Sequence, residues 1–229
     1  MFDLLIFDCD GTLVDSELLH NTASSQIITE MGFPQYTPAY CLEHFAGAGQ
    51  ARVWQTVEQA EGVKLPADIN QRYIRRVIDL QDQFARQAPD VEILLEELQG
   101  RYQMCVGSNG EPENVLGLLN LTNLMRFFGE DHVYTASMVT RPKPEPDLFL
   151  YAASRYNSDP ARTLVVEDSI AGATAGVRAG MTVFGYTGLI HDKEEHARKL
   201  RAIGVHHISD SWDDFRVVLN GQTAKLATH

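Results

Sequence analysis

Residues 4–12 of the chain read Leu-Leu-Ile-Phe-Asp-Cys-Asp-Gly-Thr. The first four residues form a short, uninterrupted apolar run, which is typical of a strand buried on both faces of a parallel sheet. Two acids follow the run at once, Asp8 and Asp10, with Gly-Thr behind them. Ligands of open parallel sheets bind beyond the carboxyl ends of the strands. The run therefore predicts a first strand that carries two carboxylates to a ligand site.

Short apolar runs and helical segments alternate along much of the remaining chain. The predicted strands are residues 2–7, 102–106, 132–134, 163–166, 182–185 and 206–208. The predicted helices between them are residues 90–99, 112–119, 146–156 and 169–179. Strands that alternate with helices of this length require right-handed crossovers. The fold class predicted is α/β, with a Rossmann-like, doubly wound parallel sheet.

Residues 16–87 interrupt this alternation, because they contain no convincing strand. Helices are predicted there at residues 17–31, 38–45, 50–59 and 67–84. A break of about 70 residues exceeds an ordinary crossover several-fold, which favours an inserted α-helical domain over a long decorated crossover. The predicted domains are a core of residues 1–15 and 88–229 and a helical insert of residues 16–87.

The bulk composition excludes several classes of protein. The 229-residue chain has a formal net charge of −12, and such a surface repels polyanions, so no nucleic-acid partner is expected. Its three cysteines are odd in number and widely spaced, which argues against a disulfide framework. No basic leader and no apolar run near ~20 residues is found, so we expect a cytoplasmic protein without a membrane partner. We expect a monomer or a weak homodimer.

Two further predicted strands end in polar residues. Ser108, Asn109 and Gly110 follow one, and Glu167 and Asp168 follow another. A parallel sheet would bring these groups to the rim that holds the first two acids.

The clustered carboxylates would repel one another unless a cation lay among them. Mg²⁺ suits such a site because it is hard and binds oxygen. No histidine accompanies the acids, and Cys9 lies beside an apolar run, where cysteine usually behaves as a small hydrophobe, which argues against zinc or copper. The alternative is that the acids cap helices, a role open to Asp168 or Ser169. Capping does not explain Asp8 and Asp10.

The two acids after the first strand are suited to phosphoryl transfer. Asp8 and Asp10 are two positions apart, so their side chains point the same way at an extended strand end. One can bind a metal and attack, giving an aspartyl-phosphate, while the other handles protons. The transferred group needs positive charge, which Lys143 can supply. Pro142 and Pro144 hold the backbone beside this lysine extended.

These residues together resemble the four motifs of the haloacid dehalogenase-like hydrolase superfamily. The motifs correspond to residues 8–17, residues 108–110, Lys143 with its prolines, and residues 167–172. Their order and spacing resemble the family over nearly the whole chain. The helical insert resembles the cap domain of the subfamily that contains β-phosphoglucomutase and phosphoglycolate phosphatase. One departure is Pro89-Asp90, where the family often has Pro-Gly.

The resemblance implies a role for each acid. Asp8 would be the nucleophile and a metal ligand. Asp10 would bind the metal through its backbone carbonyl and act first as general acid and then as general base. Asp168 would bind Mg²⁺ directly, with Glu167 as a second acid in or near its coordination sphere. Asp10 also argues for phosphate esters, since family members that cleave carbon–halogen bonds lack this acid.

The resemblance also implies residues that bind the phosphate and the leaving group. Ser108 and Lys143 would hold the phosphoryl oxygens. Arg52 would reach the far end of the substrate and His20 would link cap closure to catalysis, although either is equally an ordinary helix residue. The substrate-binding residues predicted are Thr12, Asn109, Gly110, Arg52 and His20, with Asn109 and Gly110 offering backbone N–H groups.

The leading hypothesis is a Mg²⁺-dependent phosphatase that acts on small phosphorylated metabolites such as sugar or sugar-acid phosphates. The alternative is a β-phosphoglucomutase-like mutase, which returns the phosphate to the sugar. A catalytically inactive binding module is a third class, but it requires the loss of a motif and every motif is present.

Overall fold

The computed structural model describes residues 2–45 and 48–221 of the chain. Its strands are β1 (Leu4–Phe7), β2 (Val14–Asp15), β3 (Arg86–Gln87), β4 (Gln103–Ser108), β5 (Val133–Thr135), β6 (Thr163–Glu167), β7 (Thr182–Tyr186) and β8 (His207–Ser209). Its helices are α1 (Glu17–Glu30), α2 (Pro38–Phe45), α3 (Gln50–Glu61), α4 (Ile69–Phe84), α5 (Val91–Leu98), α6 (Pro112–Leu121), α7 (Met125–Phe128), α8 (Asp147–Arg155), α9 (Ile170–Arg178), α10 (Lys193–Ala202) and α11 (Trp212–Leu219).

Within the described residues, six strands form one parallel sheet in the order β5-β4-β1-β6-β7-β8. β1 lies between β4 and β6, and Phe7 is paired with Val106 on one side and Val166 on the other. Each parallel neighbour is reached through a crossover that contains helix, as parallel pairing requires. The predicted α/β fold with a doubly wound parallel sheet is confirmed.

Helices cover both faces of this sheet. Successive side chains of β1 point to opposite faces, so β1 packs against helices on both sides. Leu4 and Ile6 belong to a buried cluster that includes residues of α8, α9 and α10. Phe7 points to the other face, where its ring lies 6.1 Å from that of Phe128 in α7 and 6.2 Å from that of Phe215 in α11. β1 is fully buried, which explains why its sequence is apolar at every position.

The described chain divides into two compact units. The core unit takes the residues up to Asp15 and from Arg86 onward, and the helical unit is Ser16–Ala85. Inside the helical unit, a buried cluster joins α1, α2, α3 and α4 through residues such as Ile27, Phe45 and Trp54. β2 and β3 pair antiparallel in the core unit, with Val14 opposite Gln87.

Several elements were absent from the sequence-based prediction. β2 and β3 have two residues each, too few for a periodic pattern to show. α7 has four residues. α10 buries Leu200 alone among its residues, so it lacks the apolar stripe that marks an amphipathic helix. α11 was also missed, although it buries an apolar face that includes Trp212 and Phe215.

The local backbone explains how Asp90 replaces the glycine of the Pro-Gly pair that is often found at this position. Asp90 has φ of 57° just before α5, in the left-handed region where glycine is most at ease and aspartate is tolerated. The chain thus keeps the turn without the glycine.

No helix in residues 2–45 and 48–221 is both long enough and apolar enough to cross a bilayer.

Candidate active site

The ends of β1, β4 and β6 place the polar residues of the sequence motifs at one edge of the sheet. Asp8 follows β1 directly, and its backbone N–H donates to the carbonyl of Val166 at 2.9 Å. Ser108 ends β4 and Glu167 ends β6. The chain leaves β1 toward β4 but leaves β6 toward β7, so the sheet reverses its winding between β1 and β6. Such a switch point is where open α/β sheets bind ligands.

A cavity of about 180 Å³ lies at this edge of the core unit. It is lined by Asp8, Asp10, Ser108, Asn109, Gly110, Lys143, Glu167, Asp168, Ser169 and Ala171. Residues up to 163 positions apart in the sequence therefore meet around one small space.

The ammonium group of Lys143 joins two of the carboxylates. Its Nζ lies 2.6 Å from Oδ1 of Asp8 and 2.6 Å from Oε1 of Glu167. The side chain is 2% exposed, and Nζ also lies 4.8 Å from the centre of the Phe149 ring. A lysine is rarely buried to this degree unless its charge is paired. Lys143 is thus a fixed cation inside the site.

Asn109 holds the backbone of this lysine. Its side-chain Nδ2 donates to the Lys143 carbonyl at 2.9 Å, and its Oδ1 accepts from the Lys143 N–H at 3.1 Å. Both ends of the carboxamide are used in this pair. The N–H of Gly110 donates to Oγ of Ser108 at 3.0 Å. The Asn109 side chain therefore positions Lys143, and its predicted substrate contact through the backbone stays a prediction.

Asp168 is supported from the first motif. The hydroxyl of Thr12 donates to Oδ1 of Asp168 at 3.4 Å, and Thr12 itself is fully buried. Gly11 has φ of 80°, and a Cβ on it would lie 2.2 Å from Oδ2 of Asp168. The glycine of the first motif is thus required both for its backbone conformation and for the approach of this carboxylate. A substrate contact by Thr12 stays a prediction.

Glu167 is held from the start of α9. Its Oε2 accepts from the backbone N–H of Ser169 at 2.8 Å and from the Ser169 hydroxyl at 2.9 Å. A Cβ on Gly172 would lie 1.6 Å from Oε1 of Glu167, so no larger residue fits there. The Ser169 hydroxyl also accepts from the Gly172 N–H and caps α9. Helix capping, the alternative weighed for this segment, is done by Ser169 and not by Asp168.

The charges of the site are unbalanced. Four carboxyl groups line the cavity, but Lys143 is the one cation among the lining residues that the structure describes. Burial raises the pKa of Asp8 to about 8, although Lys143 acts in the opposite direction. Burial, and then the Glu167 and Asp8 carboxylates, raise the pKa of Asp168 well above its ordinary range. These carboxyl groups need further positive charge to ionise near neutral pH.

The donor set fits a hard divalent cation. Asp8, Glu167 and Asp168 each offer a carboxylate oxygen, and these three oxygens lie within 4.8 Å of one another. All three donors are oxygen, as hard cations require. A cation would also supply the positive charge that the raised pKa values call for.

We expect Gly11→Ala to lower activity about 100-fold, since a displacement of about 1 Å at a reacting group has effects of this size. The new Cβ would displace Asp168. Gly180→Ala is the matched control, because Gly180 has φ of 73° and a Cβ there meets nothing within 4 Å. Both variants should lose about 1–2 kcal/mol of stability to backbone strain. Equal activity in both variants, measured beside thermal unfolding, would contradict the proposed contact with Asp168.

Arg52 and His20 belong to the helical unit. Arg52 is exposed in the first turn of α3. His20 lies in α1, where its Nδ1 is 2.7 Å from the hydroxyl of Tyr73. Their predicted contacts with substrate stay predictions.

Four supporting residues were not singled out from the sequence. Gly11 and Gly172 lie within the motifs. A glycine at either position could have indicated that another group approaches the backbone closely there. Ser169 was considered as a helix cap but not as a partner of Glu167. His196, whose Nε2 lies 2.5 Å from the backbone carbonyl of Asp168, carries no local sequence signal at all.

Fold and site together define a Rossmann-like α/β protein with an acid-rich site at the switch point of its parallel sheet. Residues 5–186 match the family model described as haloacid dehalogenase-like hydrolase, and the chain belongs to that family. The resemblance drawn from the four motifs is confirmed.

The named relatives of this chain include phosphatases. The chain is 30% identical to a 6-phosphogluconate phosphatase of Escherichia coli K12 over 83% of this chain and 85% of the relative. It is 30% identical to a fructose-1-phosphate phosphatase of the same organism over 77% of this chain and 92% of the relative. The crystal structure of a haloacid dehalogenase-like protein of unknown function from Agrobacterium tumefaciens C58 superposes with a TM-score of 0.80 at 30% identity, covering 96% of this chain and 99% of that one. The chain is a phosphatase of this family.

Proposed function

We propose that this phosphatase uses Mg²⁺ to hydrolyse small phosphorylated metabolites, with sugar and sugar-acid phosphates as the substrate class. The observation that carries the proposal is the Asp8 carboxylate, which belongs to a side chain that is 9% exposed, lines the cavity and is held at 2.6 Å by a buried ammonium group. A carboxylate fixed in this way is oriented for attack and needs no reorganisation at the moment of reaction.

Asp8 and Asp10 divide the chemistry between them. An Asp8 oxygen attacks phosphorus, the bond from phosphorus to the ester oxygen breaks, and Asp10 gives its proton to the departing oxygen. The product of this step is an aspartyl-phosphate. Asp10 then takes a proton from water, the water oxygen attacks phosphorus, and inorganic phosphate leaves while the Asp8 carboxylate is restored.

Lys143 and Ser108 serve the phosphoryl group. The transferred group spreads negative charge over its equatorial oxygens, and fixed positive groups stabilise that charge. Lys143 supplies a full charge from inside the cavity, and Asn109 fixes its backbone. Ser108 lines the same cavity and offers a hydroxyl donor.

Asp8, Glu167 and Asp168 would hold the Mg²⁺, and Asp10 would add its backbone carbonyl. The bound ion supplies charge neutralisation for phosphoryl transfer and keeps the carboxylates ionised. Magnesium is the choice among hard cations because it tolerates a site with few protein carboxylates and takes its other ligands from water and phosphate.

The volume of the cavity indicates which part of the substrate it accommodates, the phosphoryl group or the leaving group. Water occupies about 30 Å³ per molecule in the liquid, so 180 Å³ holds only a handful of small groups. That space suits a phosphoryl group with an ion. Arg52 and His20 of the helical unit are the residues proposed to recognise the rest of the substrate. The substrate class itself rests on the two Escherichia coli relatives named for sugar and sugar-acid phosphates.

The deciding experiment is phosphate release by the purified chain from 6-phosphogluconate, fructose 1-phosphate, phosphoglycolate and p-nitrophenyl phosphate. We expect steady release from at least one sugar or sugar-acid phosphate. Removal of metal with EDTA should lower the rate at least about 100-fold, because a metal contributes several kcal/mol, and Mg²⁺ should restore it.

Three outcomes would contradict the proposal. Full activity after removal of metal would exclude the role of Mg²⁺. Isomerisation of a sugar phosphate that needs a bisphosphate primer, with little release of phosphate, would identify a mutase. Binding of phosphate esters without turnover would indicate a binding module.

A further inference from the structure

His196 connects a helix outside the sequence motifs to the acid-rich site. It is the fourth residue of α10, and its Nε2 lies 2.5 Å from the backbone carbonyl oxygen of Asp168. The side chain is partly buried, and the two residues are 28 positions apart in the sequence. A carbonyl oxygen can only accept, so Nε2 is the donor and carries the proton.

The carbonyl that His196 contacts belongs to a peptide unit held at both ends. The other end of this unit is the N–H of Ser169, which donates to Oε2 of Glu167 at 2.8 Å. Hydrogen bonds in a chain polarise one another, so donation to the carbonyl strengthens donation by the N–H. One histidine therefore acts on two acids: it fixes the backbone of Asp168 directly and supports the carboxylate of Glu167 through the peptide.

The anchoring of α10 does not depend on this histidine. Asp192 caps the helix by accepting from the N–H of Glu195 at 3.0 Å. Leu200, one turn beyond His196, is fully buried in the cluster under the sheet. The helix thus has its own cap and its own apolar anchor, and the hydrogen bond from His196 is an additional contact aimed at the site.

We propose that His196 is a positioning residue that holds the Asp168–Ser169 peptide so that Asp168 and Glu167 are oriented to bind the divalent cation. The inference rests on the metal site of the proposed function. His196 touches neither the cation nor the substrate, and it acts through the peptide. Partners of metal ligands of this kind are worth about 10–100-fold in metal affinity.

The test is direct titration of the metal-free protein with Mg²⁺, and with Mn²⁺ as a second probe, by isothermal calorimetry. We expect His196→Leu and His196→Asn to weaken binding about 10-fold or more, since neither places a donor at the Nε2 position. His196→Gln keeps an N–H donor at similar reach and should bind within about 3-fold of the wild type. His191→Leu is the matched control, because His191 is exposed just before α10, and it should bind as the wild type does.

Thermal unfolding of each metal-free variant separates positioning from folding. Weak binding by His196→Leu and His196→Asn, with melting temperatures near that of the wild type and rescue by His196→Gln, is the expected pattern. Unchanged metal affinity in His196→Asn would overturn the proposal. So would a loss of affinity that follows lost stability in every variant, including His196→Gln. If the wild type itself binds neither ion, the metal site of the proposed function fails first, and the role of His196 fails with it.

Discussion

Asp8→Asn is expected to lower the rate of phosphate release at least about 1,000-fold, because the amide cannot act as the nucleophile. The substitution nearly preserves size and shape, and the Asn oxygen can still accept from Lys143, whose Nζ is 2.6 Å from Oδ1 of Asp8. The fold should therefore survive. The measurement is the rate of phosphate release, with circular dichroism and thermal unfolding to establish that the variant is folded.

The nucleophile assignment has its own signature in the covalent intermediate. Rapid acid quenching of the wild type during turnover should trap a protein heavier by one phosphoryl group, located by peptide mass spectrometry at Asp8, and Asp8→Asn should trap none. Asp3→Asn is the matched control. Asp3 is exposed, directly precedes the first residue of β1 and is paired with Arg162. A variant Asp8→Asn that keeps more than about a tenth of the activity would refute the assignment.

Lys143→Met should reduce both activity and stability. The ammonium lies 2.6 Å from Asp8 and 2.6 Å from Glu167 with 2% of the side chain exposed, so its loss leaves two carboxylates uncompensated in the interior. Breaking a buried ion pair from one side costs about 3–5 kcal/mol. Activity should fall about 100-fold or more, since the cation proposed to stabilise the phosphoryl group is lost. Chemical denaturation of the metal-free protein measures the first effect and phosphate release the second.

The loss of stability in Lys143→Met should depend on pH in a defined direction. Burial already raises the pKa of Asp8 to about 8, and the substitution removes the lysine, whose charge and hydrogen bond both lower that pKa. A carboxyl group whose pKa is raised on folding contributes stability at low pH, and that stability is lost as the pH rises through the raised value. Below pH 8 this carboxyl group is protonated in both folded proteins, so the difference between variant and wild type should grow as the pH rises through 8 and be larger at pH 9 than at pH 6.

An exposed lysine provides the control for Lys143→Met. Lys199 lies 2.8 Å from Glu195, a distance similar to those at Lys143, but its side chain is 58% exposed. Exposed pairs of this kind contribute about 0–1 kcal/mol, so Lys199→Met should change stability little at either pH. Equal losses in the two variants would show that burial of the charge at residue 143 has no special consequence.

The central strands of the parallel sheet, β4, β1 and β6, were predictable because each contains a short apolar run with a polar residue at or directly after its end. β1 and β6 are buried at every position, so their hydrophobicity is continuous and easy to recognise. α10 was not predictable from its own residues. It buries Leu200 alone, and its place in the fold depends on a cap and on the cluster beneath it.

The amino-acid sequence by itself determined the family, the alternation of the six main strands with helices and the identities of the acids, hydroxyl and lysine near the strand ends. These features are encoded locally, because a run of apolar side chains and the residue that follows it lie within a few positions of each other. Only the tertiary structure decided which of these residues contact one another. It placed Lys143 between Asp8 and Glu167, paired Asn109 with the lysine backbone, and set His196 against the carbonyl of Asp168. A hydrogen bond depends on distances of about 3 Å between atoms. Residues 24 to 135 positions apart come within that distance only when the sheet and its helices have folded.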